Sequence, residues 1–203
     1  MKQNIILYII ISVLLIFNSI LILQKTTTKQ STIKKEVEAA KNDKLTTIIN
    51  VMVENQNVLI NKNQNIINET FDTLSFFELI NSPKLIFYFN EYSCMPCVEE
   101  LIQLLNTKVE SFGKDNIIIL SHYEQLRNMY IFSHINKLKI PIYNLTEPLK
   151  IPIASKNIPF LFTIDQKLAI NNLFLVDKSL YEHTRRYISI IEKTVFQTEL
   201  NKK

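Results

Sequence analysis

The most informative segment of this chain is Leu85-Ile86-Phe87-Tyr88-Phe89-Asn90-Glu91-Tyr92-Ser93-Cys94-Met95-Pro96-Cys97. Its first five residues are apolar or aromatic, as in a buried strand. Apolar side chains then recur at helical spacing after the second cysteine: Val98, Leu101, Ile102, Leu104, Leu105 and Val109. Pro96 suits the first turn of that helix, where its missing N–H costs nothing. The segment therefore predicts a strand that ends in a Cys-x-x-Cys at the start of a helix.

The two cysteines are the only ones in the chain, and they predict a redox-active dithiol. Cys94 falls at the helix N-terminus, where unpaired N–H groups and the positive end of the dipole favour a thiolate. Cys97 follows on the same side, close enough to close a disulfide with it. Half of a zinc site and an inert structural disulfide are the alternatives. Zinc would need two further ligands, whereas there is no second cysteine pair and the three histidines lack ligand spacing. We therefore assign no metal.

The motif Cys94-Met95-Pro96-Cys97-Val98-Glu99-Glu100, placed after an apolar strand, resembles the thioredoxin-fold family. It is most similar to the TlpA-like branch, the membrane-anchored thiol-disulfide oxidoreductases of bacterial envelopes, over the segment from Ser75 to Phe196. The resemblance implies a thioredoxin-like three-layer α/β/α fold with a mixed central sheet, and no cofactor is required. Two positions depart from the family. Ser93 stands where the family usually has Trp, and Tyr88 stands where thioredoxin has a buried carboxylate.

The expected site consists of the dithiol and three further residues. Cys94 is the exposed nucleophile, and Cys97 is the thiol that resolves the mixed disulfide. The resemblance implies a cis proline at Pro159, although an ordinary trans proline at a strand start is the alternative. The backbone of Ile158 would then offer an edge to which an extended substrate can pair. The resemblance also implies a role in proton transfer for Glu100, with a solvated helix glutamate as the alternative.

The N-terminal segment predicts a membrane anchor over residues 1–24. The run from Ile5 to Leu23 contains no charged residue and is long enough to span a bilayer. A cleaved signal peptide is the alternative, but the run ends in Leu21-Ile22-Leu23-Gln24-Lys25 without small residues. The lysines after the span would place the following domain in the cytoplasm. A dithiol enzyme suits an oxidising compartment, so we expect a single-pass protein of the bacterial inner membrane whose catalytic domain faces the periplasm.

The rest of the chain divides into two segments. Residues 25–64 are predicted to form a polar helical stalk, either a spacer or a short coiled-coil dimer. Residues 65–203 are predicted to form the thioredoxin-like domain, with an irregular segment from Lys139 to Ile158 and a hairpin around Gln166-Lys167-Leu168. Family members often have Gly in that turn, so Leu168 implies a different turn type.

Composition limits the choice of function. The net charge is +4, and the lysines are dispersed, so nucleic-acid binding is not supported. The sequence favours an enzyme that reduces disulfides of envelope proteins and receives its electrons from an unknown donor. A thioredoxin-like binding or scaffold module with a vestigial dithiol is the rival from another class. A peroxidase is the second rival, and it would need a Cys in a pocket with Thr and Arg nearby.

Overall fold

The computed structural model describes Phe17, residues 42–43 and residues 45–197. The chain divides into two units between Thr47 and Ile48. The expected anchor over residues 1–24 and the expected stalk before residue 45 lie outside the described residues, apart from Phe17 and residues 42–43, which are helical. Within the part of the chain that the structure describes, no helix is long and apolar enough to cross a membrane.

The unit that begins at Ile48 is built on one mixed sheet. Its strands are β1 (Asn65–Ile67), β2 (Thr73–Ser75), β3 (Lys84–Asn90), β4 (Ile117–His122), β5 (Ile142–Leu145), β6 (Phe160–Ile164) and β7 (Ile170–Leu175). Its α-helices are α1 (Phe76–Leu79), α2 (Met95–Phe112), α3 (Leu126–Ile135) and α4 (Tyr181–Ile191), and α4 continues into a π-helical turn at Glu192–Gln197. The strand order is β2-β1-β5-β4-β3-β6-β7. The pairs β3–β4 and β4–β5 are parallel and the others antiparallel, which confirms the mixed sheet.

The central strand β3 divides the apolar residues between two cores. All seven of its residues are buried. Phe87 and Phe89 contact the core that also holds α2, α3 and α4, whereas Ile86 and Tyr88 contact the core on the opposite face. The chain steps from β3 to β4 to β5 in one direction across the sheet, and right-handed crossovers therefore place α2 and α3 on the same face.

The opposite face is covered by residues that were expected to form the stalk. In addition to α1–α4, residues 45–54 are helical. Ile48 and Val51 in this helix, and Ile60 after it, are buried in the core of that face. The following segment pairs with the hairpin, since the Ile60 N–H donates to the Leu168 carbonyl at 2.9 Å. These apolar residues cover a sheet face that would otherwise be exposed. The compact unit consequently begins at Ile48 rather than near residue 65.

The segment from Lys139 to Ile158 is more regular than expected. It contains β5 and a 3-10 helix at Pro152–Lys156. β5 pairs in parallel with β4, through Ile119 and Ile142 among others, and it receives β1 on its other edge. The segment therefore adds one strand to the sheet beside β4, and the short β1–β2 hairpin completes that edge.

The turn between β6 and β7 corrects the expectation for Leu168. Its φ is +58°, so Leu168 adopts the left-handed conformation that glycine would adopt. The Leu168 N–H donates to the Asp165 carbonyl at 2.9 Å, and the Lys167 N–H donates to the Asp165 carboxylate at 2.9 Å. The prediction of a different turn type was wrong. The Leu168 side chain is only 5% exposed, so its burial offsets the cost of the backbone conformation.

Candidate active site

The two cysteines form a disulfide at the start of the helix, as the sequence predicts. Cys94 is the N-cap of α2, Pro96 lies in its first turn, and the two cysteine Cα atoms are 5.3 Å apart. The Cys94 carbonyl accepts hydrogen bonds from the Cys97 and Val98 N–H groups, at 3.0 and 3.1 Å. Cys94 is exposed, whereas Cys97 is buried with 7% of its surface exposed. One sulfur can therefore meet a partner protein while the other is shielded from it.

The helix supplies the electrostatic environment of the dithiol. α2 has eighteen residues, and its first turn carries no acidic side chain. The positive end of its dipole consequently acts on Cys94 without an opposing carboxylate in that turn, which favours the Cys94 thiolate in the reduced protein. In the described part of the chain, no three His, Cys, Asp or Glu side chains are grouped so that they could hold a metal ion.

Glu100 lies beside the buried cysteine. It is half-buried, and it lines a narrow cavity together with Cys97, Tyr181 and Lys178. Glu99, its neighbour in sequence, is exposed instead. The structure thus places Glu100 and Cys97 on the lining of one cavity.

The Ile158–Pro159 segment lies at the same edge of the sheet, but with a trans peptide bond. The antiparallel register pairs Tyr88 with Phe160, and its continuation sets Pro159 and Ile158 beside the end of β3. No peptide bond in the described residues is cis, so the expected cis bond at Pro159 is wrong. The trans form is the ordinary isomer for a proline at a strand start. Ile158 is half-buried and Pro159 is buried.

A hydrogen-bonded turn joins β3 to Cys94, and the sequence reasoning missed it. The Asn90 Oδ1 atom accepts from the Tyr92 N–H at 3.0 Å and from the Ser93 hydroxyl at 3.1 Å. The Ser93 Oγ atom in turn accepts from the Asn90 N–H at 3.1 Å. Ser93 is buried, and its small polar side chain closes this turn. An Asn side chain that accepts from the N–H two residues further on, as Asn90 does from Tyr92, is a familiar turn signal.

Comparison with known proteins places this geometry in a fold family. At the level of sequence, no family model and no curated protein matches the chain. Peroxidoxin BcpB from Mycobacterium tuberculosis superposes with a TM-score of 0.51 at 10% identity, covering 69% of this chain and 97% of that chain. The bacterioferritin comigratory protein of Xanthomonas campestris gives 0.50 at 8% identity, covering 66% and 96%. The thioredoxin domain of a thiol-disulfide oxidoreductase from Bacteroides vulgatus gives 0.45 at 14% identity, covering 65% and 96%.

The chain has a thioredoxin-like fold. At such low identities the likeness establishes the fold alone.

Tyr88 occupies an unusual place in this thioredoxin-like fold. It is 1% exposed, and its hydroxyl lies close enough to the Leu149 backbone to affect the pKa but is not placed to form a hydrogen bond with it or with another described residue. Burial raises the pKa of Tyr88 to about 12, against a weaker opposing effect of the backbone at Leu149. Tyr88 therefore stays neutral even at alkaline pH, and it belongs to the core on the face opposite α2.

Tyr92, two residues before Cys94, is an exposed ring that interacts with two acidic side chains. Tyr92 is 66% exposed, and its hydroxyl donates to the Glu124 carboxylate at 3.1 Å. Hydrogen bonds to Glu124 and Glu91, and their negative charges, raise the pKa of Tyr92 to about 12. His122 and Tyr123 are held by the backbone and side chain of β5, through the Leu145 carbonyl and the Asn144 amide. They are structural residues rather than members of the site.

Proposed function

We propose that this chain is a protein thiol-disulfide oxidoreductase that reduces disulfides of envelope proteins, as TlpA-like proteins do. The observation that supports the proposal best is the pairing of an exposed Cys94 with a buried Cys97 at the start of a long helix. Thiol-disulfide exchange needs one accessible nucleophile and one shielded thiol that attacks only after the partner is attached.

In the reduced protein the Cys94 thiolate attacks one sulfur of a partner disulfide. The partner's S–S bond breaks, a mixed disulfide forms, and the released partner thiolate takes up a proton. Cys97 then gives up its proton, for which Glu100 is the acceptor, and attacks the Cys94 sulfur. The mixed disulfide breaks and the second partner thiol leaves, so that the partner gains two electrons and Cys94–Cys97 becomes oxidised.

A dithiol donor has to return two electrons to the oxidised protein before the next turnover. Met95 and Pro96 between the cysteines are uncharged, and nothing there favours a strongly oxidising couple. We therefore place the reduction potential between about −180 and −300 mV, the range of thioredoxin-type couples. The reaction uses no metal or organic cofactor.

Residues 5–23 anchor the enzyme in the bacterial inner membrane, with the dithiol on the periplasmic side. The uncharged run and the persistence of disulfides in that compartment support this part of the proposal. Protease added to spheroplasts should remove the C-terminal domain, and N-terminal sequencing should begin at Met1. A domain protected from protease would place it in the cytoplasm instead.

The proposed activity is tested by reduction of insulin with a small thiol as electron source, using the full chain. Wild type should accelerate insulin reduction, and Cys94→Ser should not. A binding module with a vestigial dithiol would accelerate nothing, although its disulfide could still form.

A thiol peroxidase is the second candidate, because structural neighbours carry the names of a peroxidoxin and of a protein with alkyl peroxide reduction activity. Consumption of an alkyl hydroperoxide by the reduced protein, at a rate exceeding its reduction of insulin, would favour that candidate over the oxidoreductase.

A further inference from the structure

Asn90 ends β3 and is almost fully buried, with 6% of its surface exposed. Its Oδ1 atom accepts from the Tyr92 N–H, a group that can only donate, and this fixes which end of the amide is the oxygen. The Nδ2 atom therefore faces the other way. It donates to the Oδ1 atom of Asn157 at 2.7 Å, a hydrogen bond that we call the Asn bridge.

Asn157 is suited to its place in the bridge. It ends the 3-10 helix Pro152–Lys156 in the left-handed conformation, with φ 55° and ψ 24°, which Asn tolerates better than most residues. Ile158 follows directly. On the other side of the bridge, Asn90 shapes the turn that ends at Cys94. One hydrogen bond thus joins the loop that carries Cys94 to the loop that carries Ile158.

We infer that the Asn bridge positions the Cys94 loop against the Ile158 edge and thereby favours disulfides in extended polypeptides over small disulfides. The inference rests on the proposed function, which it deepens by naming two residues that determine its preference among disulfides. A polypeptide has to reach the Cys94 sulfur and the Ile158 backbone at once, so it depends on the distance between the two loops. A small disulfide needs Cys94 alone. Asn90 and Asn157 are positioning residues, because they act through the two loops.

The test compares two substrates of the full chain, insulin and hydroxyethyl disulfide. Asn157→Gly keeps the left-handed backbone and removes the hydrogen-bond acceptor. We expect kcat/KM for insulin to fall about fivefold relative to kcat/KM for hydroxyethyl disulfide, because KM for insulin rises. A fivefold change corresponds to about 1 kcal/mol, the usual contribution of one hydrogen bond. Asn157→Asp keeps an acceptor and should restore the wild-type ratio. A change in the reactivity of Cys94 cancels in the ratio of the two kcat/KM values, since both substrates react with the same thiol.

Asn57→Gly is the matched control. Asn57 is also an exposed asparagine in the left-handed conformation, with φ 62°, and its N–H donates to the Ile170 carbonyl in a different part of the unit. It should leave the ratio of the two substrates unchanged. A ratio for Asn157→Gly equal to that of wild type, or a ratio that Asn157→Asp does not restore, would overturn the inference.

The inference and the proposed function can fail separately. If wild type reduces neither substrate, the proposed function fails, and the bridge is then judged by hydrogen exchange of the Tyr92 and Ser93 amides. Faster exchange of these amides in Asn157→Gly, and not in Asn57→Gly, would support the bridge between the loops. Unchanged exchange would overturn it.

Discussion

Leu168 allows the balance between side-chain burial and backbone conformation to be measured. Leu168→Ala removes a side chain that is 5% exposed and should cost about 2–5 kcal/mol of unfolding free energy. It also keeps a non-glycine residue at φ +58°, a conformation that costs about 1–2 kcal/mol. Leu168→Gly loses the same side chain but relieves that cost. We expect the Gly variant to be more stable than the Ala variant by about 1 kcal/mol, after the greater chain entropy of glycine is subtracted.

The assay is urea unfolding of the full chain, with the midpoints compared at an unchanged m-value. Leu173 is the matched control, since it is 1% exposed, lies in the same core and is not among the residues with positive φ. There the Gly variant should be less stable than the Ala variant, by about 0.5–1 kcal/mol. If the Ala variant at Leu168 is as stable as the Gly variant or more stable, the left-handed backbone at this turn carries no cost that burial could offset. The reasoning would then be refuted.

Two further predictions concern titratable residues. Tyr88→Phe should raise the unfolding free energy by about 1 kcal/mol, because it removes a buried hydroxyl without a partner. The pKa of Tyr88 is about 12 in the folded protein and about 10 in the unfolded one, so wild type should lose stability as the pH rises from 10 to 12. In a series of urea midpoints over that pH range, the Phe variant should lose less stability than wild type. Glu100→Gln should alter the pH dependence of Cys97 alkylation, whereas Glu99→Gln, at an exposed position, should not. Superimposable alkylation curves for Glu100→Gln and wild type would show that Glu100 is a structural residue.

The strand, the helix and the dithiol could be predicted because each has a local cause. β3 is a continuous apolar run, α2 has helical spacing, and Pro96 suits its first turn. β5 and the β1–β2 hairpin could not be predicted, since strands of three or four residues are too short for a pattern to stand out.

Other features depend on distant parts of the chain. The residues that we assigned to a stalk have helical spacing whether they form a free stalk or pack on the domain. Ile48 and Val51 are buried because one face of the sheet needs to be covered, which local spacing does not reveal. The Asn bridge links residues 67 positions apart, and a polar residue at a strand end looks the same with or without such a partner. The trans isomer of the Ile158–Pro159 bond is the ordinary local preference of proline, which the resemblance to a family led us to set aside.

The roles of the two cysteines are tested most directly by trapping. When the reduced full-length Cys97→Ser variant is mixed with insulin, a mixed disulfide between Cys94 and insulin should accumulate, and a reductant should cleave it. The Cys94→Ser variant should accumulate no mixed disulfide. In the reduced wild type, a limiting amount of iodoacetamide should modify Cys94 before Cys97, because Cys97 is buried. A mixed disulfide that forms through Cys97, or alkylation of Cys97 first, would contradict the assignment of Cys94 as the nucleophile.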